Sequence, residues 1–224
     1  MFRRQRLSHV IMLMWIGVLL VCNQHLLVPG RSSELIFSID KVMQGEWWRV
    51  FTHPLVHVSW YHLIMDAVAT TILWLQWKGV SCASKITGLL CCWLGSLLVA
   101  TACSPLISQV GYCGLSGLAH GLMLLMVRDW LEQGIVQRRH AGAAVTLLAV
   151  SLSSLAVLIG KVGYEMYTGH VLFASLHPGN ISIPIVESHF GGVFGAAVFW
   201  LGDVILQLRR KQVHVFQTAW QKQG

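Results

Sequence analysis

The sequence predicts an all-α fold: a polytopic membrane protein whose residues 1–224 form a single bundle of six transmembrane helices. Three observations predict it. Of 224 residues, 55% are hydrophobic and only 11% are charged, whereas soluble domains carry about 25% charged residues. Apolar runs recur over about residues 7–28, 59–77, 86–102, 114–127, 141–159 and 189–208. The sixteen Lys and Arg gather at the ends of those runs, as the positive-inside rule requires, and not in one basic patch. That distribution argues against a nucleic-acid partner despite the formal charge of +7.

The first run follows Arg3, Arg4 and Arg6 and contains no Lys, Arg, Asp or Glu. It is too long for a cleaved signal sequence, and no small-x-small site closes it, so it reads as an uncleaved first helix. Residues 29–58 form a long loop with Arg31, Glu34, Asp40, Lys41, Glu46 and Arg49. Its Trp47-Trp48 pair suits the lipid headgroups. Arg49 either stays at those headgroups or pins its own loop through Glu46. The second run is bracketed by Trp60 and Trp77 and carries His62 and Asp66, four apart and so on one helix face. Lys78 and Lys85 bound the next turn.

The third run leads into a short uncharged loop from Cys103 to Cys113 that contains Pro105. In an oxidising compartment these two cysteines could pair; the alternative is two packed thiols. The fourth run ends before Arg128, and a charged loop with Arg138 and Arg139 precedes the fifth. Residues 161–188 read as a second long loop, with Pro178-Gly179-Asn180 and Pro184 as turn signals. The sixth run ends at Arg209, Arg210 and Lys211. Alternating the spans puts Arg3, Arg4, Arg6, Lys78, Lys85, Arg128, Arg138, Arg139, Arg209, Arg210, Lys211 and Lys222 on one side, against Arg31, Lys41, Arg49 and Lys161 on the other. That asymmetry places both termini in the cytoplasm.

Gly114-Leu115-Ser116-Gly117-Leu118-Ala119-His120-Gly121 opens the fourth helix. Small residues of this kind often serve only to pack membrane helices. A serine becomes a nucleophile when a base stands within hydrogen-bond reach. Depth supplies one. From Arg128 back to Ser116 is about 18 Å of rise in a hydrocarbon layer of about 30 Å, so Ser116 lies roughly 12 Å below the outer surface. With Trp60 and Asp203 as anchors, Asp66 and His189 each lie about 9 Å below it. Ionisable groups sharing one level inside a membrane read as a site facing water.

The stretch from Glu46 to His62, with Trp47-Trp48-Arg49 and His53-Pro54-Leu55-Val56-His57, resembles the first external loop and second helix of rhomboid intramembrane serine proteases. Gly114-Leu115-Ser116-Gly117 is similar to their nucleophile motif, and His189 with Gly192 to their last-helix histidine and packing glycine. The form that includes His120 resembles the rhombosortase branch, which is thought to process exported proteins carrying a C-terminal glycine-glycine, apolar-helix, basic tail. The resemblance implies a Ser116–His189 dyad without a carboxylate orienter. It implies an oxyanion met by the Ser116 backbone N–H and His62. It also implies a multi-pass protein of the bacterial inner membrane whose site opens to the periplasm, with no cofactor. Gly191, Gly192 and Gly195 should let the sixth helix lie against the fourth.

Two positions depart from the family pattern. Many rhomboids have Asn where this chain has Asp66. A protonated Asp66 could donate to the oxyanion, or the residue could orient His62 or His120. His120 stands where an aromatic ring often stacks on the catalytic histidine. Among the other histidines, His53, His57 and His62 lack a carboxylate at a metal-binding spacing, so no metal is expected there, and His53 and His57 should bond within their loop. His9, His25, His140, His170, His177 and His214 lie near membrane ends and should be solvated. Trp93, Trp200 and the methionines read as packing. The alternatives to a rhombosortase-like enzyme are a general rhomboid protease cutting single-span membrane proteins and a catalytically silent rhomboid-like binder.

Overall fold

The structure, a computed structural model, describes residues 2–28, 33–78, 80–136, 141–172, 179 and 183–221. Arg31, Arg138, Arg139, His140, His177, Pro178, Asn180 and Lys222 lie outside the described residues, as do the side chains of Arg3, Arg4, Arg6, His9, Arg210, Lys211 and His214. The chain is helical, with no strand among the described residues. The long helices are α1 (Phe2–Cys22), α4 (Trp60–Gln76), α5 (Cys82–Cys103), α7 (Ser116–Val136), α8 (Ala141–Thr168) and α9 (Glu187–Gln221). Three short ones, α2 (Ile39–Met43), α3 (Arg49–Thr52) and α6 (Ile107–Val110), lie in the loops. One antiparallel bridge, Phe37 to Tyr112, ties the first long loop to the segment ahead of α7.

Cys82–Cys103, Gly142–Thr168 and Glu187–Arg209 are long and apolar enough to cross a membrane. The pair Arg49–Leu55 and Trp60–Gln76, bent by 92°, makes a fourth if it counts as one span. Val10–Cys22 is apolar but shorter. The six expected helices are therefore present as helices, but the count of six spans is not carried by length and composition. The instructive case is α7. It does not stop before Arg128 but runs to Val136, through Arg128, Asp129 and Glu132. It is surrounded by protein and not by lipid: Leu122, Leu125 and Val127 are fully buried. A helix so placed need not be uniformly apolar, because partners inside the bundle can satisfy its charges. Arg128, only 5% exposed, donates to Asp203 on α9 and to Glu132 at 2.8 Å. It is a buried tie between helices and not the end of this one.

Other boundaries also move, for physical reasons. Helix α1 ends at Cys22 and not at Val28. The Asn23 side chain donates to Leu19 O at 2.8 Å and to Leu55 O at 2.7 Å, which turns the chain into a short 3-10 segment, Gln24–Leu27. Helix α8 continues to Thr168, well past residue 159, and Gly169 at φ +70° stops it in the left-handed conformation that favours glycine. Trp77 is not an interfacial bracket. It is 1% exposed and packs in the core with Leu122, Leu125 and Leu158.

Close helix approach positions the half of the bundle that holds the head of α7. A Cβ on Gly192 would collide with Gly117 O, and one on Gly121 would come within 2.6 Å of Gly192 O, so α9 rests directly on the head of α7. Gly191 and Gly195 serve a different neighbour from the one expected. They face α5, where a Cβ on Gly95 would lie 2.5 Å from Gly191 O. Absent side chains on both surfaces are what allow backbones to touch in a membrane bundle.

Candidate active site

Polar residues from several helices converge on the start of α7. Gly114 has φ +104°, and a Cβ there would sit 3.0 Å from His62 Cε1 and 3.1 Å from Asp66 Oδ2. Only a bare Cα permits both the turn and the approach. The turn is pinned on both sides: Gly114 N–H donates to His53 O at 3.0 Å, and Leu115 N–H donates to Asp66 Oδ2 at 2.8 Å. Ser116 follows as the first residue of α7. Backbone N–H groups of a first helical turn have no acceptor within their own helix, so the Ser116 amide is a donor aimed out of the helix end.

On one side of Ser116 lies α4, whose first turn is capped by Ser59 Oγ accepting the His62 N–H at 3.1 Å. His62 Nε2 and His57 Nε2 each lie 3.3 Å from Asp66 Oδ2. That carboxylate oxygen therefore accepts the Leu115 amide and faces two imidazoles, and it is His62, not His120, that it meets. Among the described residues His62 Nδ1 has no hydrogen-bond partner.

On the other side, the first turn of α9 carries His189, which Gly192 brings over the head of α7. The His189 ring stacks on His120, with centroids 4.0 Å apart and planes 14° from parallel. His120 Nδ1 lies 2.7 Å from Ser116 O, and its Nε2 lies 2.8 Å from Lys161 Nζ. A carbonyl only accepts and an ammonium only donates, so His120 holds its proton on Nδ1 and accepts through Nε2. Among the described residues no hydrogen bond joins Ser116 Oγ to His189. His120 touches both residues, the Ser116 carbonyl by its bond and the His189 ring by its stack, and Ser116 and His189 line one cavity of about 370 Å³, with His62, Asp66, His120 and Lys161 also on its wall.

Two residues of this cluster escaped the reading of the sequence. Glu165, fully buried, accepts from Lys161 Nζ at 2.5 Å and from Leu172 N–H at 3.0 Å through Oε1, and its Oε2 lies 2.8 Å from His189 Nδ1. Both Lys161 and Glu165 fall in the stretch that the sequence reads as a loop, and both lie in α8. The i, i+4 spacing of the pair and Gly169 four residues on were the available signals that the helix continues. Donor atoms of His120, Glu165 and His189 lie within 4.8 Å of one another, a set a metal ion could use, and Lys161 already brings a positive charge to two of the three.

Other expected placements are corrected. His25 is buried and not solvated, with Nε2 3.0 Å from His57 O. His53 bonds outside its loop, accepting from Trp93 Nε1 at 2.9 Å. The His57 N–H donates to Asn23 Oδ1 at 2.7 Å. Together these bonds fasten the loop ahead of α4 to the end of α1 and to α5. Arg49 is buried and pins its loop, donating to Glu46 Oε2 at 2.7 Å and to Ile36 O at 2.8 Å. Cys103 and Cys113 are both free thiols.

A family model described as the rhomboid domain matches residues 44–203, which take in His62, Asp66, Ser116, His120, Glu165 and His189. No curated protein and no solved structure matches the chain. With most of its length covered by that match, the chain belongs to the rhomboid family, membrane proteins that are generally intramembrane serine proteases acting on membrane-embedded substrates.

Proposed function

We propose that the protein is an intramembrane serine endopeptidase in which Ser116 attacks the scissile carbonyl and His189 is the general base. The observation that carries this reading is the shared cavity. A serine at a helix head, a histidine on a neighbouring helix and the His120 ring stacked on that histidine all line one pocket. As the bond from Oγ to the carbonyl carbon forms, the hydroxyl proton passes to His189. The same proton goes to the leaving amine as the peptide C–N bond breaks, and water then hydrolyses the acyl-enzyme by the same route. The tetrahedral oxyanion is met by the Ser116 N–H at the head of α7, with His62 as the second donor. Catalytic hydrogen bonds are commonly long before substrate arrives, so the separation of Ser116 Oγ from His189 fits a resting state.

Asp66 acts in this reading by position. Its Oδ2 holds the Leu115 amide and faces His62, which sets the backbone just ahead of the nucleophile. On substrate, the His120 form of the nucleophile motif favours a rhombosortase-like specificity for exported proteins with a C-terminal glycine-glycine, apolar-helix, basic tail. The lysine and arginine asymmetry favours an inner-membrane protein with cytoplasmic termini and a periplasmic site.

The reading is tested by labelling the purified full-length protein with a fluorophosphonate probe. Labelling of wild type that Ser116→Ala abolishes is the expected result; an unlabelled wild type supports the silent binder instead. Co-expression with a protein bearing such a tail, followed by mass spectrometry of its C-terminus, decides the substrate. A tail removed only when Ser116 is intact supports the sorting enzyme, and an untouched tail favours a general rhomboid protease.

A further inference from the structure

We infer that Glu165 completes the reactive pair as a third member, a buried carboxylate that sets the tautomer and orientation of His189, with Lys161 fixing which carboxylate oxygen does so. The inference rests on the serine-protease reading above and departs from the two-residue dyad that the family resemblance implied.

The argument is one of donor and acceptor allocation. Glu165 Oε1 is occupied by two groups that only donate, Lys161 Nζ at 2.5 Å and Leu172 N–H at 3.0 Å. Oε2 is left for His189 Nδ1 at 2.8 Å. A carboxylate oxygen accepts, so Nδ1 of His189 carries the proton and donates. The lone pair is then on Nε2, the nitrogen free to take the Ser116 hydroxyl proton. When that proton arrives the ring becomes a cation, and the carboxylate beside it is already ionised and already paired. Glu165 itself neither gains nor loses a proton. Lys161 has a second task, because its ammonium also donates to His120 Nε2 at 2.8 Å and so holds the ring that stacks on His189. The imidazole of His189 is thus fixed at its edge by Glu165 and on its face by His120. Its orientation is set before any substrate enters.

Burial gives the arrangement its leverage. Glu165 and His189 are both buried, and an unpaired carboxylate in that place would be costly. A lysine four residues away on the same helix turn supplies the counter-charge without which the carboxylate could not be kept there.

The allocation makes an unusual substitution diagnostic. In Glu165→Gln, Lys161 and Leu172 still demand an acceptor, so the amide oxygen takes the place of Oε1. The NH2 group then points at His189 Nδ1 and forces the proton to Nε2, where it blocks the base. In Glu165→Ala no group dictates the tautomer, and a fraction of the correct form persists. The experiment is the rate of fluorophosphonate labelling of the full-length protein in detergent, resolved into a maximal rate and a half-saturating probe concentration, with elution and thermal unfolding checked for each variant. Glu165→Gln should lose on the order of 10³–10⁴-fold in maximal rate with half-saturation unchanged, and Glu165→Ala should be less impaired. A Gln variant within tenfold of wild type, or one faster than Ala, overturns the inference and leaves the serine-protease reading standing. A wild type that is not labelled at Ser116 overturns both. Should the variants not fold, proton NMR of the ¹⁵N-histidine-labelled wild type decides. A hydrogen-bonded Nδ1 proton missing from His189→Gln supports the inference, and a His189 protonated only at Nε2 overturns it.

Discussion

Ser116 stands between two carboxylate–imidazole clusters that look alike in composition and differ in how their oxygens are used. On the α4 side, Asp66 directs a single oxygen, Oδ2, at the Leu115 amide and at His57 and His62. On the α8 side, Glu165 divides its work, Oε1 to Lys161 and Leu172 and Oε2 to His189. In the first cluster one acceptor atom does everything, so an amide can replace the carboxylate with its oxygen in the same place. In the second, both atoms are spoken for, and an amide must present a donor where an acceptor is needed. The difference teaches that the sensitivity of a buried carboxylate to its amide is read from the allocation of its two oxygens, not from its burial or from the number of its partners.

That contrast can be broken by experiment. The largest expected effect is Ser116→Ala, which should remove fluorophosphonate labelling and proteolysis altogether. Glu165→Gln comes next, with the losses given above. His62→Ala removes the second oxyanion donor and should lower the turnover rate by about 10²–10³-fold, read as initial rates of substrate cleavage; a loss under tenfold would leave the helix-head amide as sufficient. Asp66→Asn trades a charged acceptor for a neutral one at the same point and should cost less than about tenfold in the same assay. A loss of a hundredfold or more there would erase the contrast and show that the charge on Asp66 is needed. The smallest effect is expected for His120→Phe. The stack on His189 survives while the bonds to Ser116 O and from Lys161 Nζ are lost, so labelling should slow by about tenfold or less.

The two sides also differ in how visible they were beforehand. His62 and Asp66 sit four apart in one apolar run, and helix periodicity alone puts them on one face. Glu165 sits among Gly160, Lys161, Gly163 and Tyr164, a stretch whose glycines and charges read as the end of a span. The helix continues because protein partners, Lys161 and His189, meet its buried charge, and no local pattern announces a partner 24 residues away. Arg128 shows the same. By its charge it reads as the end of a span, and its pairing with Asp203, 75 residues on, makes it a brace within a helix that continues to Val136.

By itself the sequence determined the helices and the small residues that let them touch. Hydrophobic runs and bare glycines act through local geometry, which any short window of the chain contains. Only the tertiary structure decided which charges lie inside and what they face. A buried ionisable group is tolerated or excluded by neighbours from distant segments, and those neighbours exist only once α7, α8 and α9 have packed together.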